Sequence, residues 1–199
     1  MNIGGNWRRR VPASANDGYA EAGAPPKESS PIYVAENPDA SNPILDRRIK
    51  AKLEDLLRDR GYKVALTADE AECKLAYQVG VRPETFTGYV PTYEHVEGNY
   101  GPYGPALGFG YTTSVPYVDT YFNHWLTLRL YQIRPNQTAE GQIVWIGEAM
   151  TLTEQRDIRE AIDYLLVACF DEFGSDTHGQ VRIPIRPKDP RIQELRVGP

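Results

Sequence analysis

The chain has 199 residues, and its 22 Lys and Arg against 27 Asp and Glu leave a formal net charge of −5. Charged residues at 25% and hydrophobic residues at 41% lie near the globular average, which excludes wholesale disorder and fibrous repeats. The acidic balance argues against a nucleic-acid binder, because that affinity rests on clustered Lys and Arg. No apolar run approaches the roughly 18 to 20 residues that span a bilayer, since the longest, around residues 161–170, is broken by Asp163.

Residues 1–31 carry Gly4, Gly5, Pro12, Gly18, Pro25, Pro26 and Pro31 with almost no apolar periodicity, and read as an extended N-terminal arm. Arg8, Arg9 and Arg10 are followed by Val11, Pro12 and Ala13 rather than an apolar stretch, so a secretory signal is expected to be absent or already removed. A single domain is expected over residues 32–185, opening with a short strand at 32–34. A helix follows: Asn42 is a good N-cap, Pro43 a good first helical residue, Leu45, Ile49, Leu53 and Leu56 recur at helical spacing, and Gly61 closes the segment. Its other face mixes Arg47, Arg48, Lys52, Asp55 and Arg58, the pattern of a solvated helix surface.

Residues 62–66 predict a second strand, 68–72 an acidic turn, and 73–81 a third strand with Leu75, Tyr77 and Val79 on one face, paired antiparallel with the second. Residues 82–120 then change character, with six Tyr, six Gly and five Pro but only five charged side chains. Such a long loop inside a domain is usually functional or disordered. Tyrosine offers amphipathic contact area at small entropic cost, so Tyr89, Tyr93, Tyr100, Tyr103, Tyr111 and Tyr117 are candidate protein-interface residues. Two other readings stay open: an insertion that covers its own sheet, and a carbohydrate platform.

Residues 121–133 and 142–152 predict two long strands joined by a loop at 134–141 with Pro135, Asn136 and Gly141. Both faces of the second are apolar, which makes it central, and Trp145 at its middle is expected to anchor the core. A second helix is expected after Thr151 and Glu154, at capping-box spacing, with an apolar stripe from Ile158 through Leu165, Leu166 and Cys169 to Phe173. Residues 181–185 allow a last strand, and 186–199 read as an extended C-terminal tail. The order predicts an α+β fold, a mainly antiparallel sheet with two helices packed on one face.

No catalytic constellation emerges. His95, His124 and His178 have no Ser, Cys or carboxylate at the spacing of a nucleophilic motif. The absence of a CxxC or HxxxH pair leaves zinc unsupported, and Cys73 and Cys169 read as buried free thiols. Asp171, Glu172, Asp176 and His178 could hold a divalent ion or simply form a hydrated helix end. The Gly-rich stretch 98–110 matches neither phosphate-binding glycine pattern. The expectation is a non-enzyme with no cofactor and no metal.

The residues Leu45-Asp-Arg-Arg-Ile49, Leu53 through Gly61-Tyr62, Asp69 through Cys73-Lys-Leu-Ala-Tyr77, the strand 125–131 and above all Ile143-Val-Trp-Ile-Gly-Glu-Ala149 carry a family likeness. Over roughly residues 32–173 the chain resembles a family of bacterial envelope lipoproteins built on a domain of unknown function, the family numbered 4136. Cys73 and Ile146 depart from the family's usual residue types, and no cysteine for lipidation stands near Met1. The resemblance implies a periplasmic or outer-membrane-associated protein and carries no catalytic residues with it. The expected function is therefore a non-catalytic structural subunit of a cell-envelope assembly. It would contact other protein subunits, including copies of itself, through its arms and the Tyr-rich loop. A periplasmic binding module for a glycan or small ligand is the alternative.

Overall fold

The computed structural model describes residues 14–20, 30–38, 40–95, 100–101, 104–105, 110–133 and 141–197. In chain order the elements are β1 (Ser14–Ala20), β2 (Ile32–Val34), α1 (Pro43–Asp59), a 3-10 turn (Ala68–Glu70), β3 (Cys73–His95), β4 (Tyr100–Gly101), β5 (Gly104–Pro105), β6 (Gly110–Gln132), β7 (Gln142–Thr153), α2 (Ile158–Asp171), β8 (Gln180–Ile183) and α3 (Pro190–Val197). One sheet has the order β2-β3-β6-β7-β1-β8, and β4 pairs only with β5. The chain divides into two units, Pro83–Tyr121 and the remainder.

The larger unit is a sheet with helices over one face. Along the strands Leu126, Leu128 and Leu130 alternate into a core with Cys73, Leu75, Tyr77, Trp145 and Ala149, and α1 meets them with Ile49, Leu53 and Leu57. The helix forms where the sequence predicts, because the Asn42 side chain accepts from the N–H groups of Ile44 and Leu45 at 3.2 and 3.1 Å and Pro43 needs no donor. Gly61, at φ +84°, ends it in the left-handed region that a glycine enters without strain. Leu57 rather than Leu56 completes the fully buried stripe, with Leu45 and Leu56 at its margin. Helix α2 is buried nearly all round, from Ala161 to Phe170, since the sheet lies under it and α1 and α3 flank it.

Five expectations need correction. The sheet is mixed rather than purely antiparallel: β2 pairs with β3 in parallel, Ile32 opposite Cys73 and Val34 opposite Leu75. Helix α1 lies between them in sequence, and a crossover helix returns the chain in the same direction. Residues 62–66 form no strand of their own; they reach β2 by one parallel bridge, Val64 to Ile32.

The third helix, α3, stands where a tail was expected over 186–199. Asp189 accepts from the N–H of Arg191 at 3.1 Å, Pro190 occupies the first turn, and Ile192 and Leu195 enter the core. Within the arm expected over 1–31, Ser14–Ala20 is a strand, antiparallel to β7 on one side and β8 on the other. The rest of 1–29 lies outside the described residues.

Helix α2 starts later than the Thr151/Glu154 box implied. Thr151 is in the ladder opposite His124 with its side chain buried, so Asp157 caps instead and accepts from the N–H of Arg159 at 3.0 Å.

The hairpin of β6 and β7 agrees with the sequence reading, from Phe122 opposite Thr153 to Gln132 opposite Gln142, with one irregularity at Leu130/Tyr131. The expected loop 134–141 lies outside the described residues except for Gly141, where a Cβ would sit 2.4 Å from the Gln132 carbonyl oxygen. Trp145 anchors the core as expected. Its indole lies over Gly147, whose missing side chain leaves the space, meets Phe173 at 4.8 Å between ring centres, and donates from Nε1 to the Ser175 carbonyl at 3.1 Å.

Candidate functional site

Residues 82–120, read as a loop, are mostly strand. Glu72 bonds at Ile133, Gly80 faces the Trp125 ring, Gly88 faces the Tyr117 ring, and the hydroxyls of Thr92 and Thr113 each reach the other's carbonyl. Each step forward on β3 matches a step back on β6, so the two are antiparallel in one register. The strand-forming signal is there in Thr85, Phe86, Thr87, Tyr89, Val90 and Thr92 and again in Thr112, Thr113, Val115, Tyr117 and Val118. Pro83, Pro91 and Pro116 mask it by looking like breakers, yet a two-stranded ribbon has an outer edge on each strand where proline's missing donor costs nothing.

In the unit Pro83–Tyr121 the ribbon leaves its apolar side chains in solvent. Phe86 is 46% exposed, Tyr89 69%, Val90 49%, Val115 51%, Tyr117 43% and Val118 64%. Phe86 meets Tyr121 edge-on at 5.5 Å, and the Tyr117 ring rests on Gly88, so two aromatics are braced while still half open. Of the six candidate tyrosines, Tyr89 and Tyr117 are thus exposed on facing strands. Tyr93 and Tyr111 continue those strands, and Tyr100 lies in β4, but their side chains lie outside the described residues, as does the whole of Tyr103.

A second feature belongs to the larger unit. Helices α1, α2 and α3 border a groove of about 1030 Å³ whose apolar floor is the half-buried Leu56 over the buried Val167, Phe170 and Leu195. Seven Arg or Lys side chains line it against four carboxylates. Several are paired: Lys52 Nζ lies 2.5 Å from the buried Asp163, which Arg196 Nε also approaches at 3.7 Å, and Arg191 Nη1 lies 2.5 Å from Asp171. Arg58 bridges Glu54 and Asp55 on its own helix. Among the described residues Arg48 has no such partner, and Arg47 donates only to the Pro43 carbonyl at 3.3 Å. The sequence reading treated α1's charged face as a plain solvated surface. The groove was hidden because its third wall, α3, was read as a tail; Asp189-Pro190 with Ile192 and Leu195 was the missed helix signal.

Among the described residues the candidate catalytic side chains do not converge; the His95 side chain lies outside them. His124 is fully buried, and its Nε2 lies 2.8 Å from the Gln155 carbonyl and 3.0 Å from Thr153 Oγ1. A carbonyl only accepts, so Nε2 carries the hydrogen, and the ring fastens β6 to the end of β7 and the turn beyond it. His178, at φ +54°, lies beside Asp176 in an exposed turn, while Asp171 is engaged by Arg191 and Arg60. Among the described residues no group of three His, Cys, Asp or Glu could hold a metal ion. Cys73 and Cys169 are free and buried, and burial pushes both thiols up. Tyr77 donates to Asp46 Oδ1 at 2.7 Å inside the core, and burial and that bond push its hydroxyl up as well. Among the described residues no helix is long and apolar enough to cross a membrane.

No curated protein matches the chain. Among solved structures it is similar to a PDZ domain protein from Parabacteroides distasonis at 13% identity and a TM-score of 0.50; the likeness covers 86% of this chain but 39% of that one. It is also similar to two forms of the PelC dodecamer from Paraburkholderia phytofirmans. One is at 11% identity over 80% of this chain and 98% of that one, the other at 12% over 81% and 98%, each with a TM-score of 0.44. At these identities the first likeness concerns the fold alone. Residues 19–173 match the family described as a domain of unknown function, DUF4136, and the chain belongs to that family.

Proposed function

We propose that this protein is a non-catalytic interaction subunit of a bacterial cell-envelope assembly and that the ribbon Pro83–Tyr121 is its docking element. The observation that carries the reading is the exposure of Phe86, Tyr89, Val90, Val115, Tyr117 and Val118 on one two-stranded ribbon. A lone two-stranded ribbon is at best marginally stable in water. Apolar and aromatic side chains gathered there are the composition of a surface that another protein covers, with aromatics as the anchors that dominate binding energy. The periplasmic, outer-membrane-associated setting belongs to the same reading and rests on the family resemblance; cell fractionation tests it.

Replacing Phe86, Tyr89 and Tyr117 together by Ser should weaken association with native partners by at least about 2 kcal/mol, roughly thirtyfold. Association would be followed by co-purification and by sedimentation, and folding by urea titration of the isolated chain. Normal assembly by a variant that unfolds much more easily would make the ribbon an internal cover and end this reading.

A further inference from the structure

We infer that the groove between α1, α2 and α3 receives the ribbon of a second copy of this chain, so that copies associate head to tail. The inference rests on the ribbon being a docking element and names what it docks into. Its ground is charge complementarity. Between Pro83 and Tyr121 the sequence holds Glu84, Glu94, Glu97 and Asp119 and no Lys or Arg. The groove has the opposite balance, with Arg47 and Arg48 uncommitted to any carboxylate among the described residues. The apolar contribution is smaller: over the buried Val167, Phe170 and Leu195 the half-buried Leu56 offers a seat to the exposed Phe86 and Tyr117, which share one face of the ribbon. Lys52 and Arg196 stay with the buried Asp163, but Arg58 and Arg191 are held in exposed ion pairs that are weak at a surface, so an incoming carboxylate can exchange with those at little cost. Two different patches meet in such a contact, which makes it heterologous and permits growth beyond a pair unless the arrangement closes.

The test is a charge swap on the full chain, read by sedimentation equilibrium, with far-UV circular dichroism and urea titration confirming that each variant folds. Arg47→Glu with Arg48→Glu reverses the groove; both side chains are exposed on α1, where a change of charge is tolerated without repacking. Glu84→Lys with Asp119→Lys reverses two of the ribbon's four charges and cancels its net charge. The wild-type chain should self-associate, more weakly as salt rises. Each reversed variant alone should associate at least roughly tenfold more weakly, and an equimolar mixture of the two should recover most of the loss. A wild-type chain that stays monomeric at all concentrations overturns the inference, including the case of a ribbon held on its own groove. Association indifferent to groove reversal overturns it as well. If groove reversal is silent while the Ser variants of Phe86, Tyr89 and Tyr117 abolish association, the ribbon remains a docking element and only its proposed seat is wrong. If both sets are silent, the ribbon reading fails with it.

Discussion

Truncating Trp145 to Ala tests the core directly. The indole is 1% exposed, packs edge-on against Phe173, and lies over Gly147, where a side chain would collide with it at 2.2 Å. Its neighbours on either strand are backbone partners, Leu130 and Ala20, so the sheet cannot close over a lost ring without breaking its register. Deleting a large buried aromatic costs about 3 to 5 kcal/mol. The hydrogen bond to the Ser175 carbonyl adds little, because Ser175 is exposed and water can replace the indole N–H. About 4 kcal/mol is therefore expected, equivalent to a fall of roughly 8 to 16 °C in Tm for a chain this long. Trp145→Phe keeps most of the ring and should lose no more than about half of that. Urea titration followed by far-UV circular dichroism gives both numbers. A loss under about 1 kcal/mol for Trp145→Ala would refute the packing argument and make the residue a ligand platform instead.

Three further outcomes follow from local chemistry. Lys52→Ala should destabilise by about 2 to 3 kcal/mol, because it strips the buried Asp163 of its close partner and leaves Arg196 at 3.7 Å; a double-mutant cycle with Asp163→Ala that shows simple additivity would count against the pair. Arg159, donating to Asp157 from its side chain and its backbone N–H, holds that carboxyl at about 2 from an ordinary 3.8. Since the folded value is the lower one, the stability that this pair adds is present above about pH 4 and lost as the pH falls through about 2; carboxyl titration by NMR should place the Asp157 midpoint there, and a midpoint near 4 would contradict it. Cys169 is wholly buried with its thiol pushed up by burial and by the charge of Glu148, so a thiol reagent at pH 8 should modify it only as fast as the chain unfolds. Immediate labelling in the native state would sink that assignment.

Much of this protein was legible in its sequence because the signals are local. Asn42-Pro43 and Gly61 bound α1, the stripe from Ile158 to Phe173 forms α2, and the alternation on both sides of residues 134–141 pairs β6 with β7, since capping and amphipathic period act within a few residues. The exposed tyrosines Tyr89 and Tyr117 were also readable, as composition out of place in a core. What only the tertiary structure decided depends on distant partners. Ser14–Ala20 has no apolar pattern and becomes a strand because β7 and β8 offer it two hydrogen-bonding edges. The direction of β2 is set by α1 crossing over to β3. Pro83, Pro91 and Pro116 are compatible with strands only because each strand of the ribbon has an open edge. The cationic groove exists because Ile192 and Leu195 find the α2 surface and bring Arg191 and Arg196 opposite the charged face of α1, a convergence between residues far apart in the chain that no local window contains.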